Sequence, residues 1–212
     1  MAIPTHTRSL MGSRAARLAG IFIGLAGLCA ALTMLFWSMR AVMEIGGSCA
    51  SGNVPYETTR PCPQGTGWMM TSSIFGGIFM FVLYAVSAGG GPSLWPLAWP
   101  ALFLSLGWNF FQYGVDPPFG SGVAPGWLVC GVLFALMGGG PLLLLLKAGW
   151  LQSLFTGKEM APARRGIPKT PPTDATPPVM ASVPRGAILA LQAVGIVVGV
   201  WAGWRIFDWG NG

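Results

Sequence analysis

From Leu18 to Met39 the chain reads Leu-Ala-Gly-Ile-Phe-Ile-Gly-Leu-Ala-Gly-Leu-Cys-Ala-Ala-Leu-Thr-Met-Leu-Phe-Trp-Ser-Met, with no charged residue in the run. Wound as an α-helix at about 1.5 Å per residue, such a stretch is long enough to cross the roughly 30 Å of hydrocarbon in a bilayer. It is therefore expected to span a membrane rather than to line the core of a soluble domain.

Working outward, four more apolar runs have similar length. They cover about Trp68 to Ala88, Leu97 to Val115, Gly126 to Leu146 and Ala187 to Phe207. Tyr84 is the one ionisable side chain of the second run. Pro96 and Pro100 stand at the start of the third, where a missing backbone N–H does least harm. The fourth ends in five leucines and Lys147. Only 8% of the 212 residues are charged, against about 25% in an ordinary globular domain. The expected fold is an all-α membrane protein, a bundle of four transmembrane helices plus a fifth, C-terminal transmembrane helix.

The expected organisation follows. Residues 1–17 form a basic cytoplasmic tail and 18–147 a four-helix membrane domain with an outer loop over 43–67. Residues 148–156 form an interfacial amphipathic segment, with Trp150, Leu151, Leu154 and Phe155 on one face. Residues 157–185 form a Pro-rich cytoplasmic linker with almost no large apolar residues, expected to be disordered. Residues 186–207 form the fifth helix and 208–212 a short outer tail. Thr170 and Thr176 precede prolines and offer modification sites, but a plain spacer is the favoured reading of the linker.

Two alternatives for the amino terminus are set aside. Arg8, Arg14 and Arg17 before an apolar stretch suggest a cleaved signal peptide, but the stretch is longer than a signal core and runs into Trp37 and Arg40. Cys29 as a lipidation site would require a small residue where Leu28 stands.

Basic residues near the spans set the orientation. With the amino terminus inside, Arg8, Arg14, Arg17, Lys147, Lys158, Arg164, Arg165, Lys169 and Arg185 are cytoplasmic, against Arg40, Arg60 and Arg205 outside. The net charge of +6 thus belongs to the inner face, where anionic lipid is the expected partner and nucleic acid is not. The carboxyl terminus is extracytoplasmic.

The outer loop then holds Cys49 and Cys62, the two cysteines that lie outside a span, on the oxidising side. A structural disulfide is expected. A redox pair would more often be spaced Cys-x-x-Cys, and His6, the single histidine, is on the other side of the membrane from any zinc site here. Gly46-Gly47-Ser48-Cys49-Ala50-Ser51-Gly52, Pro55-Tyr56 and Arg60-Pro61-Cys62-Pro63 resemble the loop of a group of small uncharacterised actinobacterial integral membrane proteins. Trp99-Pro100-Ala101-Leu102-Phe103-Leu104 and Gly131 to Gly138 add to the resemblance, which covers about Leu18 to Lys147. Members of that group carry Gly-Gly-Pro-Tyr where this chain has Gly52-Asn53-Val54-Pro55-Tyr56. The resemblance implies an envelope location and a helix count, and no activity.

In the third span Ser105, Asn109, Gln112 and Asp116 fall on one helical stripe. Such a stripe bonds to neighbouring helices, with Thr33 and Ser73 as the expected partners, or lines a water-filled vestibule. No span carries a charge near its middle, where coupled carriers usually keep one. Gln192 in the fifth span is placed nearer the inner face, away from this stripe. Gly20 and Gly24 in the first span, and Gly195, Gly199 and Gly203 in the fifth, form flat faces for close helix approach, within the chain or against a membrane-protein partner or second copy. Gly89-Gly90-Gly91-Pro92 makes the second and third spans a hairpin.

No acid pair, Ser/His/Asp set, phosphate loop or metal-ligand cluster stands out, so no catalytic or metal residue and no cofactor is expected. Glu44, Glu57, Asp116 and Asp208 are outside, with Arg40, Arg60 and Arg205 as ordinary surface partners. A non-enzymatic structural or accessory envelope protein is the expected function, with a small channel or transporter using the third-helix stripe as the alternative.

Overall fold

A computed structural model describes residues 14–47, 49, 61–89, 92–118, 122–147 and 183–211. The residues before 14, most of the outer loop and the chain from 148 to 182 lie outside this description. The interfacial segment, the linker, Thr170, Thr176 and Glu57 lie there too.

Five long helices account for most of the described residues: α1 (Arg14–Glu44), α2 (Thr66–Ala88), α3 (Ala98–Val115), α4 (Pro125–Lys147) and α5 (Arg185–Asn211). A single 3-10 turn, Trp95–Leu97, leads into α3. Pro125 opens α4 at the position where its missing N–H costs nothing. Helix ends fall within a few residues of the apolar runs, with three differences. α1 continues past Met39 to Glu44, so Arg40 and Glu44 are helical rather than in the loop. It also begins at Arg14, inside the expected basic tail. α5 extends through Asp208 and Trp209 to Asn211, where a short tail was expected.

Four helices, α1, α2, α4 and α5, are long and apolar enough to cross a bilayer. α3 is the exception. It has 18 residues, and Asn109, Gln112, Tyr113, Trp99 and Trp108 dilute its apolar character. The C-terminal helix α5, expected as a fifth span beyond the four-helix domain, meets the requirement.

The helices run antiparallel in sequence, so the molecule has two ends. At one, the carboxyl ends of α1, α3 and α5 meet the amino ends of α2 and α4. Here the sulfurs of Cys49 and Cys62 are 2.13 Å apart, joining the chain just after α1 to the chain just before α2. At the other lies the turn between α2 and α3. These are called the disulfide end and the turn end.

α1 is the hub, packed along α2 on one side and α5 on another, while α3 and α4 pack chiefly on each other. The trio of α1, α2 and α5 comes together at glycines. A Cβ on Gly24 would lie 2.6 Å from the Tyr84 backbone N, and one on Gly203 would lie 2.5 Å from the Ala30 carbonyl O and 2.8 Å from Thr33 Cβ. Gly20 meets Ser87, and Gly199 meets Ala26 and Cys29. Gly65, just before α2, has φ +74° and faces the carbonyl of Gly210 on α5, so both its conformation and its surroundings exclude a side chain. Ile21, Leu25, Tyr84, Ala88 and Ile188 form the buried core of the trio at its turn end.

The α3/α4 pair has its own glycine interface. Gly107 faces the backbone of Gly131 and Ala135, Gly131 faces Phe111, Gly138 faces Leu104 and Gly114 faces Leu128. Phe103 and Phe110 flank Phe134 across the pair at 5.8 and 5.2 Å between ring centroids. The outward faces are apolar: Phe75 on α2 is 70% exposed, Leu144 on α4 69% and Val197 on α5 69%. So continuous an apolar exterior has lipid as its natural solvent.

Candidate functional site

Two polar clusters tie the trio to the pair, one at each end. The larger, at the disulfide end, is the candidate site. It forms because α1 and α3 run in the same direction and set two polar stripes against each other. On α1, Phe36, Arg40 and Glu44 are four apart; on α3, Asn109, Gln112 and Tyr113 fall within one turn.

Three hydrogen bonds join the stripes in register. The Asn109 Nδ2 amide donates to the Phe36 carbonyl at 3.2 Å. Arg40 Nη1 donates to Gln112 Oε1 at 2.6 Å. The Tyr113 hydroxyl donates to Glu44 Oε1 at 2.8 Å. The Arg40 guanidinium also lies over the rings of Tyr113, Trp37 and Phe36, at 5.2, 5.7 and 5.9 Å from the centroids. Trp127 of α4 meets Tyr113 edge to face at 6.2 Å, and its far edge rests on Gly47 at the end of α1.

The stripe expected on α3 therefore divides. Asn109 is fully buried and, with Gln112, reaches α1. Ser105 donates to the Leu102 carbonyl of its own helix at 2.9 Å, and Asp116 is exposed past the helix end. Neither expected partner takes part. The Thr33 hydroxyl donates to the Cys29 carbonyl at 2.8 Å, because Thr33 faces α5 and lies under Gly203. Ser73, on α2, has a buried hydroxyl without a partner. The partners are instead a backbone carbonyl and Arg40, which the sequence presents as an ordinary surface charge. That reading does hold for Arg205, which pairs with Asp208 at 3.5 Å in the open.

The second cluster is at the turn end. The fully buried Tyr84 hydroxyl donates to Gln192 Oε1 on α5 at 2.6 Å and accepts from the Leu94 N–H at 2.7 Å. Gln192 Nε2 donates to the Pro92 carbonyl at 3.0 Å. One hydroxyl and one amide thus join the end of α2 and the turn after it to α5, about a hundred residues further along the chain. Gln192 is, as expected, remote from the α3 stripe. Its partner is Tyr84, and the signal for that pairing in the sequence is a lone Tyr in α2 and a lone Gln in α5.

The helix-packing glycines Gly20, Gly24, Gly195, Gly199 and Gly203 all face other helices of the same chain. Several buried oxygens toward the disulfide end have no hydrogen-bond partner: Asn109 Oδ1, Ser38 Oγ, Ser73 Oγ and Thr66 Oγ1, with Arg40 Nε as a buried donor in the same state. Among known proteins, no family model, no curated sequence and no solved structure matches the chain.

Proposed function

We propose that this chain is a non-enzymatic integral membrane protein with five spans, acting as a structural or accessory component of the cell envelope. The observation that supports it best is how the polar side chains of the helices are used. Asn109, Gln112, Tyr113, Tyr84 and Gln192 all bond to other segments of the chain. In a bilayer such bonds fix helix arrangement. α3 counts as the fifth span in this proposal because it lies alongside α1 with its ends at the two ends of the trio. Arg14, Arg17, Lys147 and Arg185 at the turn end support a cytoplasmic position for that end and for the amino terminus, beside anionic lipid. The disulfide end is then outside. The loop resemblance to small actinobacterial membrane proteins points to the same location.

Since the glycine faces are used within the chain, contact with a membrane partner or a second copy falls to the outer loop and the outward apolar faces. Crosslinking in native membranes followed by mild-detergent extraction tests this. A discrete adduct lost on deleting residues 50–60 is the expected result, and monomer alone would sink the proposal.

The alternative is a small channel or transporter. It is favoured by Asn109 Oδ1, a buried oxygen of the α3 stripe without a hydrogen-bond partner, which suits hydration at that position. Asn109→Leu and Gln112→Leu should then abolish solute or ion flux in proteoliposomes, and unchanged flux removes this reading.

A further inference from the structure

Pro141 lies inside α4, with seven residues of the helix from Pro141 to Lys147. A proline has no N–H, so the carbonyl four residues earlier, that of Met137, loses its helical donor. In hydrocarbon an unsatisfied carbonyl is costly, and proline is accepted in membrane helices where a neighbouring group supplies the missing bond. The indole Nε1–H of Trp99, at the start of α3, donates to this same Met137 carbonyl at 3.0 Å.

The surroundings make this bond mechanically important. Gly138 is the last glycine of α4 that packs on α3, against Leu104. Next to Pro141, Gly139 and Gly140 have nothing within 4 Å of where a Cβ would be. Beyond it, Leu143 and Leu144 are 58% and 69% exposed. The helix is thus weakest where it leaves its partner, and Trp99 is the tie at that point. The ring of Trp99 is itself held, with its centroid 4.5 Å from that of Phe103.

We propose that α4 carries a hinge at Gly138 to Pro141, and that the Trp99 indole latches it by taking the carbonyl that Pro141 leaves without a donor. When the latch releases, the segment from Leu142 to Lys147 swings away from α3 at the turn end, changing the exit of the chain toward residue 148.

The test is a double-mutant cycle on the full chain in detergent or bilayer, read by amide exchange over Leu142 to Leu146. Trp99→Phe keeps an aromatic ring but removes the donor. It should speed exchange there by roughly three- to tenfold, the size expected of one interhelical bond. Pro141→Ala restores an N–H to Met137, so Trp99→Phe in that background should leave exchange unchanged. Trp108→Phe, another exposed indole of α3, should also leave it unchanged. The latch is overturned if Trp99→Phe has no effect beside Pro141, or has the same effect beside Ala at 141. It is equally overturned if Trp108→Phe loosens the segment as much.

Discussion

The trio of α1, α2 and α5 and the pair of α3 and α4 solve the same problem differently. Apolar attraction between helices is weak in lipid, so both rely on glycine to bring backbones close. In the trio the close approaches run along both sides of α1, and the last helix of the chain enters as a full member. In the pair two sequence neighbours meet through glycines seven apart on each helix, Gly107 and Gly114 on α3 and Gly131 and Gly138 on α4, with aromatic rings filling the gaps. Between the two units, side-chain hydrogen bonds run from α1 to α3 at the disulfide end and from Tyr84 and Gln192 to the segment leading into α3 at the turn end. Packing thus builds each unit, and hydrogen bonds set one against the other.

The largest effect should come from attacking the trio's packing. Gly24→Val places a side chain where the Tyr84 backbone lies 2.6 Å from the Cβ position, and nothing there is the flexible end of a side chain. A loss of about 3 kcal/mol is expected, the upper part of the range for overpacking. Gly76→Val on α2, with open space around it, should be nearly neutral in the same denaturation assay. If the two are equally harmful, helix propensity rather than close packing governs the trio.

Tyr84→Phe tests whether the turn end joins the units. The substitution keeps the ring in place but deprives Gln192 Oε1 and the Leu94 N–H of their shared partner. Leaving buried groups unpaired costs about 1 to 3 kcal/mol. Exchange should rise at Leu94 and along the start of α5, while the α3/α4 interface near Gly131 is unchanged. A uniform rise across all five helices would mean that the two units are one cooperative body.

The helices were legible in the sequence because each run is long, apolar and bounded by charge or proline. The extra turn of α1 was not. Arg40 and Glu44 look like loop residues until Gln112 and Tyr113 are brought beside them, and it is these bonds that accompany the helix beyond Met39. The α3 stripe was visible from its spacing, but its partners depend on how α1 is rotated against α3. Spacing within α3 carries no information on that, and so Thr33, which faces α5, was the wrong candidate. The place of α5 was hidden for a similar reason. Its four-residue glycine spacing reveals a face, while a long proline-rich connection gives no direction for that face to point. The seven-residue glycine spacing of α3 and α4 is legible in the sequence, as is the proline whose freed carbonyl calls for a donor.

The smallest effect should come from the Arg40 and Gln112 contact, and it separates two roles for the disulfide-end cluster. Gln112 is exposed and Arg40 half-buried, so their bond competes with water and its contribution is about 0.6 to 2 kcal/mol at most. Arg40→Met retains much of the packing against Phe36, Trp37 and Tyr113, and Gln112→Leu removes the acceptor. If the cluster serves to set α3 against α1, the two substitutions are coupled: each costs about 1 kcal/mol alone, and together they cost little more than one. If Arg40 is held there chiefly by the aromatic rings, the costs add, and Arg40→Met is the more harmful of the two. Additive costs would leave Asn109 and Tyr113 as the bonds that register α3 on α1, and the link between the two units would then be weaker at this end than at Tyr84.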